Sequence, residues 1–194
     1  MSNKIMEILM ESEKFYKAGH QALNEGSYWE AIENFKKAIE LVPGRKDCPY
    51  CIGIAYGNLS EYQKAIESYT KAITKDPKNT HAYLNRGTVY GKLGEEDKAI
   101  EDFTKVIEID AAYAAAYFNR GVAYFKKDII AMAIEDLTKA VSLNPMHSDA
   151  YFCRGNCFKK LEDNDSAIRE YTKVLQIKPR FDAYYNRAVS FHEK

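Results

Sequence analysis

Two thiols raise the first chemical question. Cys48 and Cys51 stand in the stretch D-C-P-Y-C-I-G, residues 47–53, with two residues between them. That spacing suits thiol–disulfide exchange: one sulfur attacks as a thiolate, the second resolves the mixed disulfide, and a helix N-terminus lowers the pKa of the first. A second pair, Cys153 and Cys157, lies four residues apart. Four converging cysteines would also suit zinc. The histidines, His20, His81, His147 and His192, are scattered and form no ligand pair. No nucleophile–base pair and no phosphate-binding glycine loop is readable beside them. What the thiols can do depends on the elements that carry them.

Those elements repeat. Gly19, Gly53, Gly87, Gly121 and Gly155 recur every 34 residues, and so do Ala31, Ala65, Ala99, Ala133 and Ala167, each followed by isoleucine. Pro43, Pro77, Pro145 and Pro179 mark the same register, with Ala111 where the proline is missing. Tyr83, Gly87 and Tyr90 are spaced to share one face of a helix; Ala99, Phe103 and Val106 share a face of a second. The small residues let two helices approach and the aromatics fill the space beside them, so most of the 15 tyrosines read as core.

The pattern resembles the tetratricopeptide repeat, a helix–turn–helix unit of this period. In A-Y-L-N-R-G-T-V-Y-G-K-L-G-E-E-D-K-A-I-E-D-F, the family's slots fall on Tyr83, Gly87, Tyr90, Ala99 and Phe103, with Ala111 in the proline slot. The resemblance covers nearly the whole chain. It implies an all-α fold, a right-handed α-solenoid of antiparallel helix pairs, each burying its apolar face against its neighbours. Five repeats are expected, at 12–45, 46–79, 80–113, 114–147 and 148–180, the fifth one residue short after Pro179. Residues 181–194 read as the first helix of a sixth. Residues 1–11 lie outside the register, where Ile5, Ile8 and Leu9 could extend or cap the first helix.

In this register Cys48 takes a slot that holds Ala82, Ala116, Ala150 and Ala183 elsewhere, and Cys51 one that holds Asn85, Asn119, Cys153 and Asn186. Pro49 sits in the first helical turn, where proline costs little. A glutaredoxin-like site would need a preceding strand and a parallel sheet, and neither is readable. Packing is therefore the expected role, with a thiol redox protein using Cys48 and Cys51 as an alternative. Cys153 and Cys157 lie three repeats further on, too far to complete a zinc site. No metal, cofactor or catalytic residue is expected.

The family binds peptides on the concave face lined by its first helices. The resemblance places Tyr50, Asn85, Thr88, Lys92, Phe118, Asn119, Lys126, Phe152, Asn156, Lys160, Tyr185 and Asn186 on that face. A carboxamide both donates and accepts, so a row of asparagines can pair with an extended backbone without reading its side chains. The row resembles the asparagine ladder in the repeat domain of O-linked N-acetylglucosamine transferases, although two rungs are cysteine and one is lysine. The aromatics offer apolar contact. Lys92, Lys126 and Lys160 either attract an acidic ligand or complement helix dipoles, and the dipole reading is preferred. The carboxylate clamp of heat-shock co-chaperones is disfavoured: repeat one has Tyr16 and His20 at clamp positions, and after Asn85 repeat four offers Ala115 and Asn119.

One covariation is internal to the chain. Position seven of the first helix reads Ala18, Ile52, Arg86, Arg120, Arg154, while position 23 reads Asn34, Ser68, Asp102, Asp136, Glu170. Arginine appears where the same repeat carries an acid, so ion pairs Arg86–Asp102, Arg120–Asp136 and Arg154–Glu170 are expected within repeats. Arg187 has no such partner before Lys194, and Tyr184 and Phe191 would lack packing, so a further helix is expected to follow.

Composition bounds the rest. Lysine plus arginine and aspartate plus glutamate are 28 each, a formal net charge of zero, without the basic excess of a nucleic-acid binder. No leader or membrane span is readable, and four cysteines are too few for a disulfide scaffold, which points to a cytoplasmic setting. The expected function is a non-enzymatic scaffold holding a protein or peptide partner in the concave groove. The alternative is the substrate-recognition segment of a larger enzyme, such as a glycosyltransferase.

Overall fold

The computed structural model describes residues 3–194; Met1 and Ser2, the start of the expected N-terminal extension, lie outside the described residues. The described residues contain eleven α-helices and no strand. They fall into two compact units, one ending at Leu93 and one running Gly94–Lys194. The first holds α1 (Asn3–Asn24), α2 (Tyr28–Leu41), α3 (Cys48–Asn58), α4 (Tyr62–Lys75) and α5 (Thr80–Lys92). The second holds α6 (Glu96–Ile109), α7 (Ala114–Lys126), α8 (Ile130–Leu143), α9 (Ser148–Lys160), α10 (Asn164–Ile177) and α11 (Phe181–His192). Within each unit, connections of three to six residues fold successive helices back on one another as antiparallel neighbours.

The turns explain the repeat length. Gly26, Ser60, Gly94, Asp128 and Glu162 all have positive φ, between 60° and 78°, and recur every 34 residues. Each ends a first helix in the left-handed conformation. The next N–H then reaches back five residues, from Ser27 to Ala22 (2.8 Å), Glu61 to Tyr56 (2.9 Å) and Ile129 to Tyr124 (2.9 Å). Glycine adopts this conformation freely; Ser60, Asp128 and Glu162 hold it at a cost of about 1 kcal/mol. The turn between repeats uses a side chain. Asp76, Asp110 and Asn144 each accept from the N–H two residues on, at 3.1, 2.9 and 3.1 Å. Asp110 thus supplies the turn where Ala111 replaces proline.

Packing follows the small–large alternation. Ala31, Ala65, Ala99, Ala133 and Ala167 are all fully buried, and so are Phe35, Leu137 and Tyr171. The glycines make room for those large side chains: a Cβ on Gly53 would sit 2.6 Å from the Tyr69 ring, and one on Gly155 2.7 Å from Tyr171. Burying each such side chain contributes about 2–3 kcal/mol.

Helix α1 is continuous through Ile5, Ile8 and Leu9, and Ile5 and Leu9 are exposed along it. On α11, Phe181, Tyr184, Tyr185 and Phe191 are exposed.

Candidate functional site

The thiols are core residues. Cys48 is fully buried and Cys51 is 4% exposed. Cys48 fills the slot in which Ala82, Ala116, Ala150 and Ala183 are also fully buried. Burial pushes the Cys48 thiol up to about 11 and Cys51 up to about 12. That is the reverse of what exchange chemistry needs, and the helix start at Cys48 does not compensate. Cys51 Sγ lies 3.9 Å from His20 Nε2. Cys153 and Cys157 are likewise pushed up, to about 11 and about 12, by burial. Among the described residues no group of three His, Cys, Asp or Glu side chains is placed to hold a metal ion. Iodoacetamide at pH 8 is expected to leave Cys48 and Cys51 unmodified in the folded protein, because only about one Cys48 thiol in a thousand, and fewer still at Cys51, is ionised there. Mass spectrometry should find both alkylated once guanidinium is added. Rapid labelling of either in the native protein would restore the redox reading.

In the first unit, α3 and α5 bring Tyr50 and Asn85 together, with Asn85 Nδ2 donating to Tyr50 Oη at 3.2 Å. The Tyr50 ring lies 6.0 Å from Tyr69. Thr88 returns its hydroxyl to the Leu84 carbonyl at 2.8 Å. Lys92 Nζ stands 5.6 Å from the Tyr62 ring. Asn85, Thr88 and Lys92 share one recess of about 290 Å³ with Ile54, Asn58 and Tyr69. Burial raises the Tyr69 phenol pKa, so it stays a neutral donor in the wall of that recess.

In the second unit, Phe118, Phe152 and Tyr185 occupy successive first helices, α7, α9 and α11. Phe118 lies 4.5 Å from the His147 ring, and Phe152 is 5.7 Å from Tyr171. Tyr185 is 59% exposed. Asn156 Oδ1 accepts from the Tyr171 hydroxyl at 2.8 Å and from Asn186 Nδ2 at 3.3 Å. Asn119 has no side-chain partner among the described residues. The amides are therefore not equivalent: Asn85, Asn156 and Asn186 are partly spent inside the fold, and Asn119 keeps its full capacity.

The lysines have a role that neither sequence reading supplied. Lys126 Nζ lies 2.8 Å from Glu96, and Lys160 Nζ lies 2.7 Å from Asp128. Each ties a first helix to an acid of the preceding repeat, Glu96 at the start of α6 and Asp128 in the turn between α7 and α8. Glu96 and Asp128 are not at equivalent repeat positions, so no periodicity announces them. Arg180 was equally hidden. Its guanidinium lies 4.4 Å from the Phe152 ring and its nitrogens pair with Asp149 (2.5 Å) and Asp182 (2.6 Å), so it bridges the shortened linker.

The position-seven arginines bridge two helices. Arg120 Nε and Nη2 donate to Asp136 at 2.7 and 2.8 Å, and Arg154 binds Glu170 at 2.8–3.0 Å. Asp136 raises the pKa of Arg120. Burial raises the Glu170 carboxyl more than Arg154 lowers it, so its desolvation outweighs even a bidentate pair. Arg86 and Asp102 stand in different units, and Asp102 is buried. Each arginine also donates to a threonine of the preceding repeat: Arg86 to Thr70 (2.9 Å), Arg120 to Thr104 (3.0 Å), Arg154 to Thr138 (3.0 Å) and Arg187 to Thr172 (3.4 Å). These threonines recur every 34 residues, a signal present in the sequence that the acid covariation overshadowed.

Comparison with known proteins gives the same architecture. Residues 55–94 and 92–128 match a family model described as TPR repeat, and 114–147 and 148–181 match tetratricopeptide repeat models. Among curated proteins nothing matches. Several solved structures are similar. MamA from Desulfovibrio magneticus RS-1 is 26% identical, with a TM-score of 0.82 over 87% of this chain and 95% of that one. A tetratricopeptide repeat protein from Parabacteroides merdae ATCC 43184 is 22% identical, with a TM-score of 0.84 over 95% and 73%. YrrB, a TPR protein with an unusual peptide-binding site, is 20% identical, with a TM-score of 0.75 over 92% and 89%.

Proposed function

Because the chain belongs to the tetratricopeptide repeat family, whose motifs span residues 55–181, we propose that it is a non-enzymatic scaffold holding an extended peptide segment of a protein partner along its first helices. The observation that carries this reading is the row on α7, α9 and α11. Phe118, Phe152 and Tyr185 stand one per repeat at the same register position, each followed in sequence by Asn119, Cys153 and Asn186. An extended peptide presents one backbone donor and one acceptor per residue. Asn119 can meet both with one side chain, and the aromatics supply apolar contact of the kind that dominates binding energy. In the first unit, the recess holding Asn85, Thr88 and Lys92 offers a further amide and a cation of the same type. Peptide binding is a use this fold serves in YrrB. The buried thiols support a role without chemistry.

The test is a random peptide display selection on the wild-type protein, followed by affinity measurements on Asn119→Ala/Phe152→Ala. The lost hydrogen bond should cost on the order of 1 kcal/mol and the aromatic another 1–2 kcal/mol. Together they correspond to roughly 30- to 140-fold weaker binding. Undiminished affinity in a double variant of unchanged helicity would remove this face from consideration.

A further inference from the structure

The arginine bridges are missing from repeats one and two, and a groove stands at the second of these. In repeat two the position-seven residue is Ile52 and the position-23 residue is Ser68, where repeat four has Arg120 and Asp136. Lys36 takes the slot of the bridged threonine Thr104. A groove of about 480 Å³ lies here between α2, α3 and α4. Its floor is Ile39, Pro49, Ile52 and Tyr56; Pro49, Ile52 and Tyr56 are buried. Its rim carries Lys36, Lys64, Lys71 and Lys75 against the single acid Glu67, a formal charge of +3. The corresponding groove of repeat four, about 460 Å³, carries Arg120 and Lys139 against Glu135 and Asp136, a formal charge of zero. The two grooves match in size and place in the repeat, and differ in charge.

Three of the four rim cations have no acid partner among the described residues. Lys75 Nζ donates to the carbonyls of Pro43 (2.8 Å) and Arg45 (3.4 Å), which leaves its charge unbalanced. Lys64 alone has an acid, Glu61 at 3.1 Å, and also stands over Trp29 and Tyr56. Lys36 and Lys71 are exposed, with no charged partner among the described residues. Ile52 is two residues from Tyr50, about 200° around α3, so this groove opens away from the peptide face.

We propose that the groove is a second docking surface, for an acidic segment of a partner protein that seats an apolar side chain on Ile52 and Tyr56 and lays its carboxylates along the α4 lysines. Charge complementarity selects an acidic occupant, and the apolar floor selects one with a large hydrophobic side chain beside its acids. Length selects a peptide over a single headgroup. Lys64, Lys71 and Lys75 form one stripe along twelve residues of α4, about 16 Å from end to end, which one phosphate or carboxylate cannot reach along.

The test uses the intact chain and a fluorescein-labelled peptide of glutamate, aspartate and serine around one central phenylalanine. Its lysine-for-acid counterpart, its alanine-centred counterpart and anionic phospholipid vesicles serve as rival probes. The acidic phenylalanine peptide is expected to bind best, with affinity falling as salt is raised. Lys36→Glu/Lys71→Glu should weaken it about tenfold, because both reversals replace attraction by repulsion at exposed sites. Ile52→Arg/Ser68→Asp, which installs the ion pair of repeat four, should abolish it while circular dichroism stays unchanged. Asn119→Ala/Phe152→Ala should leave it intact, which separates this site from the peptide face. Equal binding of acidic and lysine peptides, indifference to Lys36→Glu/Lys71→Glu, or binding of vesicles in preference to peptide would each overturn the proposal.

Discussion

Replacing Asp136 with alanine should destabilise the second unit by about 3–5 kcal/mol, the cost of stranding a buried charge. The side chains of Asp136 and Arg120 are 6% and 17% exposed, and the pair is bidentate. Without the carboxylate, the guanidinium keeps the Thr104 hydroxyl on Nη1 and the faces of the Tyr117 and Tyr124 rings, neither of which balances its charge. Removing both partners should be far milder, since an apolar pair of similar shape needs no desolvation of charge. Repeat two already makes that exchange with Ile52 and Ser68, each 7% exposed. Arg120→Ile/Asp136→Ser should therefore recover most of the stability lost in Asp136→Ala. Denaturant titration of the single and double variants measures both. A single-variant loss below about 1 kcal/mol, the range of a solvated surface pair, would mean the bridge is not buried in solution.

Tyr171 carries the second large effect. It is fully buried, its ring fills the space left by Gly155, and its hydroxyl holds Asn156 at 2.8 Å. Tyr171→Ala removes the ring and leaves a cavity between α9 and α10, at an expected cost of about 3–5 kcal/mol. Tyr171→Phe keeps the ring and loses one hydrogen bond, for about 1 kcal/mol. The comparison separates packing from polarity. It also bears on the site, since the phenylalanine variant frees Asn156 while Asn186 still donates to it. Thermal and denaturant unfolding should rank the variants wild type, then phenylalanine, then alanine. Equal losses in the two would mean the hydroxyl, and not the ring, dominates this position.

What could be read without a structure is what repeats. Helix type, helix pairing and the core slots depend on local spacing, and each is written five times in this chain, so noise in one copy is averaged by the others. The packing assignment of Cys48 came the same way, from its alignment with four buried alanines. Features that occur once resisted reading. Arg180 over Phe152, Lys126 on Glu96 and Lys160 on Asp128 join positions without a common period. The threonine bridges repeat, yet they join adjacent repeats, and a pattern search within one repeat does not pair them.

The sequence by itself therefore determined the family, the all-α class, the large side chains set against Gly19, Gly53, Gly121 and Gly155, and the packing slot of Cys48, because each follows from spacing along one helix or between two successive ones. Only the tertiary structure decided which polar groups remain available. Hydrogen-bonding capacity is finite, and a side chain's free share depends on neighbours brought from other helices. Asn85 gives its amide to Tyr50, Asn156 accepts from Tyr171 and Asn186, and Asn119 keeps both its functions. The same holds for charge. A chain with no net charge carries a groove of formal +3, because folding sorts lysines 36, 64, 71 and 75 to one rim while leaving a single acid among them.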